Sequence, residues 1–251
     1  MTTHCMSYLA VARFSGDDAG DFLQSQLSAD ILALQPGDSG LACYCTPKGQ
    51  VLGLLLVGRR QDSYLLAANA VLLPGILRRL RMYVMRSKVL IEEADDLHVE
   101  GRPGPLYDFV ENSDAAGNSP GWRAMELKSG VTWLNEGSSE KFIPQMLGLD
   151  QIGAVSFKKG CYPGQEIVAR ARYLGKVNRN PLLLEISGKP GVEPGEKVQV
   201  RRGDAWSSAV VVDLAPSGDE NLVIFTVASA EPDLPAEELS YGEQTYLCAT
   251  T

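Results

Sequence analysis

The sequence predicts an α+β fold, on three observations. Within the first ninety residues, apolar runs of strand character alternate with stretches whose apolar positions recur at helical spacing. From Pro181 onward the pattern changes to short strand-like runs separated by Pro- and Gly-containing turns. The composition is that of an ordinary globular chain, 45% apolar and 22% charged over 251 residues, with ample length for a packed core.

The elements follow in order. Residues 8–14 (YLAVARF) are apolar and rich in strand formers, a first strand. Ser15-Gly16-Asp17-Asp18 is a turn ending in helix-capping residues, and DFLQSQL continues at helical spacing. Pro36-Gly37-Asp38 is a turn, and LACYCT and VLGLLLVGR flank Pro47-Lys48-Gly49-Gln50, a β-hairpin with a Gly-containing loop. YLLAA is another strand. Residues 70–86 are helical, with Pro74 near the start, and KVLIEE returns as a strand. Residues 94–121 contain RPGP and NSDAAGNSPG and read as a connector or surface loop. WRAMELKSG is a helix that stops at Gly130, and GSSEKFIPQMLGLD is a loop followed by a short helical turn. LLLEI, KVQV, SSAVVVDLA, LVIFTVA and QTYLCA supply five or six strands, enough for a small antiparallel barrel or sandwich.

Charge is distributed unevenly. The net charge is −8, yet from Gly203 to the end there are nine acids and no Lys or Arg. Between Ser63 and Ile91 there is no acid, while Arg78, Arg79, Arg81, Arg86 and Lys88 are present. Between Lys158 and Arg179 six basic residues face one acid, Glu166. These stretches fit either an anionic ligand or a solvated helix face. The acidic final third and an aromatic content of 7% disfavour direct nucleic-acid binding. No apolar run is long enough for a membrane span, and the N-terminus has no basic start or apolar core of a signal peptide. Five cysteines, an odd number without framework spacing, point to free thiols in a reducing compartment, so a cytoplasmic monomer is expected.

KKGCYPGQEIVAR, residues 158–170, carries the densest chemistry. Pro163-Gly164 fits the centre of a type II turn, and Gln165 to Arg172 is helical, with Glu166 and Arg170 four apart in the favourable order. Cys161 thus stands just ahead of a helix start with Lys158 and Lys159 close in sequence, a setting that stabilises thiolates. It could be a nucleophile, a redox thiol or one soft metal ligand; a buried free cysteine is the alternative. Cys43 and Cys45 alternate on a strand and read as core. His4 and His98 lack neighbouring ligand types, so no metal site is expected. Trp122 opens a helix and could stack on a flat heterocycle or fill the core.

KKGCYPGQEIVARARYLGK resembles the K-G-C-[FY]-x-G-Q-E signature of the YgfZ family, folate-binding proteins connected with iron–sulfur cluster assembly and tRNA modification and related to the glycine cleavage T-protein. DFLQSQLSAD, CTPKGQVLG, LRMYVMRSKVLI and FIPQMLGLDQIGAVSFKKGCY match further family elements in chain order. The resemblance implies a multidomain T-protein-like fold. Its parts are an N-terminal α+β folate-binding-type domain over 1–93, a shortened middle region over 94–175 with the signature, and a C-terminal antiparallel β-barrel over 176–251. It implies tetrahydrofolate or a derivative as cofactor, and iron–sulfur enzymes or their assembly proteins as partners. Cys161 and Lys159 become the candidate catalytic pair. Trp122, Tyr162, Gln165, Glu166, Arg170, Gln26 and Lys48 become the candidate cofactor-binding residues, with Arg172, Lys176 and Arg179 as further cations for a glutamyl tail. Lys128 stands where relatives carry an acid, and a second family tryptophan falls near Tyr8 and Leu9. No counterpart of the T-protein's catalytic Asp is found. The expected function is therefore a folate-binding accessory protein for iron–sulfur cluster assembly or repair and tRNA modification, not a classical enzyme. A tetrahydrofolate-dependent aminomethyltransferase-like C1-transfer enzyme is the alternative.

Overall fold

The chain opens with a two-residue strand, β1 (His4–Cys5), then β2 (Leu9–Ser15), α1 (Ala19–Gln26) and a 3-10 turn (Ile31–Ala33). β3 (Ser39–Cys45), β4 (Val51–Arg59) and β5 (Ser63–Asn69) follow, then α2 (Leu73–Val84) and β6 (Leu90–Glu93). The computed structural model describes residues 3–102, 104, 106–113, 120–175, 177–229 and 235–249. β2 to β6 form one antiparallel sheet in the order β3-β4-β5-β2-β6. The uninterrupted apolar run of β4 is explained by burial on both faces. Leu55 and Val57 pack on α1 and α2, while Leu54 and Leu56 face the larger core below. α2 buries Leu73, Ile76, Leu77 and Leu80 at helical spacing, with Pro74 in its first turn, where the absent N–H has no intrahelical partner to lose.

The stretch expected to be a connector contains structure. β7 (His98–Arg102) and β8 (Leu106–Val110) pair as an antiparallel hairpin, and β1 adds to β7 to make a three-stranded sheet. β7 ends at Arg102 and β8 starts at Leu106, and both strands alternate, with Val99, Tyr107 and Phe109 buried. Part of the expected connector is thus sheet; residues 103, 105 and 114–119 of that stretch lie outside the described residues.

α3 (Pro120–Lys128), a 3-10 turn (Pro144–Leu147) and α4 (Gln165–Tyr173) make up the middle of the chain. The last part is one antiparallel sheet of β9 (Arg179–Ser187), β10 (Lys197–Arg202), β11 (Ala205–Pro216), β12 (Asn221–Ser229), β13 (Glu238–Tyr241) and β14 (Gln244–Leu247). Its order is β14-β13-β10-β11-β12-β9. The sheet curls until its margins meet at an isolated bridge, Ile186 with Cys248, beside which the Ala249 N–H donates to the Glu185 carbonyl at 2.7 Å. The expected barrel is thus a curled sheet joined along one seam without a full strand ladder. Val198, Val200, Ile224 and Leu239 fill the inside of the curl. Val223, Phe225 and Val227 point the other way, into the core shared with β4 and α3. A β-bulge between Val211 and Asp213 shifts the alternation of β11 by one residue. That shift turns Asp213 toward α3.

Candidate functional site

The signature loop is held from three sides. Gly164 caps α4 with φ 83°, the positive value expected for the turn. A Cβ there would lie 2.4 Å from the Thr46 carbonyl oxygen and 2.6 Å from Gly49 Cα. The Pro-Lys-Gly hairpin and the signature turn, distant in sequence, therefore touch backbone to backbone. From a second side, Gln145 Nε2 donates to the Val168 carbonyl at 2.7 Å, tying the middle 3-10 turn to α4. From the third, Lys159 Nζ donates to the Gln24 and Leu27 carbonyls at the end of α1. Those carbonyls belong to a last helical turn that lacks a basic side chain of its own, and the ammonium supplies the missing donors. Lys159 is only 8% exposed. Burial pulls its ammonium down to about 8, against the opposing influence of Asp30 and Cys161. The Lys159 ammonium thus caps the end of α1 and fixes the start of the loop that carries Cys161.

All five cysteines are free, and Cys161 alone is exposed. Cys43 and Cys45 lie in the core, where burial pushes the Cys43 thiol up to about 12 and also raises that of Cys45, with Cys43 adding to the effect. Tyr162 is buried over them, raised by burial and then by Cys45 and Cys43, with Lys159 Nζ 5.2 Å from its ring centre. One thiol faces solvent at the edge of a fixed loop while its neighbours are sealed and protonated. The Gln165 N–H at the start of α4 is taken by the Tyr162 carbonyl at 3.1 Å. Exposed and fixed in place, the Cys161 sulfur is free to act as a nucleophile, a redox thiol or a single soft ligand. Among the described residues no three Cys, His, Asp or Glu side chains gather as a metal site.

The residues expected to hold a cofactor are scattered. Lys48 is exposed on the hairpin, beside the Gly49–Gly164 contact. Gln165 is half-buried at the first position of α4, and Glu166 and Arg170 pair with each other on its exposed side at 3.5 Å. Arg172 lies 4.3 Å over Phe157 and 3.5 Å from Asp150, and Arg179 is exposed at the start of β9. Lys176 lies outside the described residues. Gln26 is buried, its Nε2 on Ser25 Oγ at 3.2 Å and its Oε1 without a partner among the described residues. Tyr162 offers no open face. Nor does Trp122, which is 3% exposed, packed against the Gly101 backbone, His4 at 5.1 Å and the edge of Tyr107 at 6.4 Å. Lys128 pairs with Glu185 at 2.7 Å. Two cavities, of about 410 and 470 Å³, flank the 60–63 turn and are lined by none of these residues. Among the described residues, these side chains do not converge on either of those cavities.

What lies around Trp122 is a buried ionic network, invisible to the sequence reading. Glu126 is 0% exposed and accepts from Tyr8 at 2.5 Å, Tyr107 and Arg123 at 2.7 Å, and Trp133 at 3.0 Å. Arg123 also donates to Asp213, and its guanidinium lies 4.6 Å over the Tyr8 ring. Burial raises Asp213, with Arg123 pulling the other way. Burial works against the charge of Arg123, but Asp213 and Glu126 outweigh it and the net shift is upward. Burial and the adjacent Glu126 raise both tyrosines. The molecule thus contains sheltered carboxylates after all, but both are occupied by one guanidinium. The signal in the sequence was Asp213 itself, a single acid inside the apolar run SSAVVVDLA.

The strand order and the packing of three sheets around this core define a T-protein-like fold. The crystal structure of glycine cleavage system aminomethyltransferase T from Bartonella henselae superposes with a TM-score of 0.70, covering 100% of this chain and 85% of that one at 14% identity. In sequence the chain is similar to the tRNA-modifying protein YgfZ of Klebsiella pneumoniae (strain 342), 28% identical over 89% of this chain and 84% of that protein. The tRNA-modifying protein YgfZ of Enterobacter sp. (strain 638) is also 28% identical, over 87% and 82%. No family model matches the chain. The resemblance to the YgfZ family, first drawn from the signature, extends over most of the chain. Among the described residues no helix is long and apolar enough to cross a membrane.

Proposed function

We propose that this protein is an accessory factor in tRNA modification that supports iron–sulfur enzymes, with Cys161 as its working thiol. The observation that carries the reading is the selective exposure of Cys161 on a loop anchored to α1, α4 and the Pro-Lys-Gly hairpin. Similarity to the tRNA-modifying relatives supplies the process. In a strain lacking its own such factor, Cys161→Ala is expected to leave thiolated tRNA nucleosides at the level of the empty vector. Cys43→Ala, which alters a sealed thiol, should restore them to wild type, as read by nucleoside mass spectrometry. Full rescue by Cys161→Ala would sink the proposal.

A reduced folate is the cofactor that the family resemblance implies. Because the Trp122 ring is closed over by its neighbours, it is not expected to contribute to any such binding. In a titration with tetrahydrofolate, Trp122→Phe should keep the wild-type affinity within about twofold, since no stacking contact is lost. A loss of about tenfold would mean that the ring opens to the ligand. Aminomethyl transfer is disfavoured because a base beside the cofactor is required, and Glu126 and Asp213 are both held by Arg123 out of solvent.

A further inference from the structure

Alongside α2 runs a groove that the reading above does not use. At one end is a cavity of about 190 Å³ lined by Leu72, Gly75 and Ser139. At the other is one of about 90 Å³ lined by Tyr44, Pro47 and Pro163. Leu52 and Arg79 line both, so the two adjoin. The helix wall is made by Gly75, Arg78, Arg79, Met82 and Tyr83, which succeed one another at three- and four-residue spacing. Pro163 brings the far end to the signature loop, two positions from Cys161.

The charge of the groove is specific. The stretch from Ser63 to Ile91 contains no acid, and among the described residues no carboxylate pairs with Arg78 or Arg86. Arg79 does hold a carboxylate, that of Glu140 at 2.8 Å. Glu140 reaches it from a backbone with φ 60°, a left-handed conformation that a non-glycine residue adopts only at a cost. The groove therefore already displays, from within, the contact that an incoming carboxylate would make. Met82 is 65% exposed and Tyr83 48%, a large apolar surface left open between the arginines.

We propose that this groove docks an acidic protein segment whose carboxylates pair with Arg78 and displace Glu140 from Arg79, and whose apolar side chains cover Met82 and Tyr83. Met, Tyr and Arg are the side chains that adaptable protein interfaces favour. A nucleic acid would need a continuous track of cations, and here the cations are separated by Met82, Leu52 and proline. The docked segment would lie beside the signature loop, but its binding does not require the thiol. That independence separates a failure here from a failure of the Cys161 reading.

The test is fluorescence anisotropy with a short labelled peptide of alternating glutamate and leucine. The wild type and Cys161→Ala are expected to bind it alike, and Arg78→Glu with Arg79→Glu to bind roughly tenfold more weakly. Met82→Ser, on an exposed position that folding does not need, should weaken it as well, with an unchanged melting temperature. A lysine–leucine peptide should not bind. The proposal is overturned by equal binding of both peptides, by no effect of the substitutions, or by no binding up to about 1 mM. Arginine-dependent binding of total tRNA without peptide binding would assign the groove to RNA and overturn it too.

Discussion

Replacing Glu126 by alanine is expected to lower the stability of the protein by about 3–5 kcal/mol, because it strips the partner from a buried charge. Glu126 receives hydrogen bonds from Tyr8, Tyr107, Arg123 and Trp133, and none of these donors has solvent to turn to where they meet. Arg123 would be left with Asp213 alone. Urea denaturation is the measurement, with Met125→Ala on the same helix as the control. Asp213→Ala should also be destabilising, and the double substitution should cost less than the two single effects added, since both carboxylates serve the same guanidinium. Additive effects would show that they act apart.

The second large effect is expected at Gly164. Alanine there meets two penalties together, a positive φ and a Cβ placed 2.4 Å from a carbonyl oxygen that belongs to rigid backbone. The expected loss is about 3 kcal/mol or more, with the Pro-Lys-Gly hairpin pushed off the signature turn. Urea denaturation reads the stability. Alkylation of Cys161 by a maleimide reads the displacement, expected as a changed rate under native conditions. Gly191→Ala provides the comparison, since its positive φ is similar but nothing lies within 4 Å of an added Cβ. Equal losses at the two glycines would mean that φ alone matters and that the contact between the two turns is incidental.

Local patterns were readable where the physics was local. The hairpin around Pro47 to Gln50, the apolar face of α2 and the turn at Pro163-Gly164 each show their geometry within a dozen residues, and the structure has them. The β7–β8 hairpin was missed because its strands are five residues each and the prolines and glycine in the RPGP sequence outweighed the alternation on either side. Within the site, the place of Cys161 just ahead of α4 was legible, whereas neither its exposure nor the use of Lys159 was. Lys159 reaches carbonyls more than 130 residues away in the chain, and no spacing rule connects it with the end of α1. The Glu126 network was hidden for the same reason: Tyr8 is 118 positions from Glu126, and Asp213 is 90 from Arg123. Trp122 was a candidate for a ligand through the family resemblance; its place at a helix start fitted the core as well, and gives no sign of what is laid across it.

The seam between Ile186 and Cys248 has a mechanical meaning. A sheet that curls back on itself through a single bridge gains most of the protection of a cylinder, since neither margin is left as a template for another chain to zip onto.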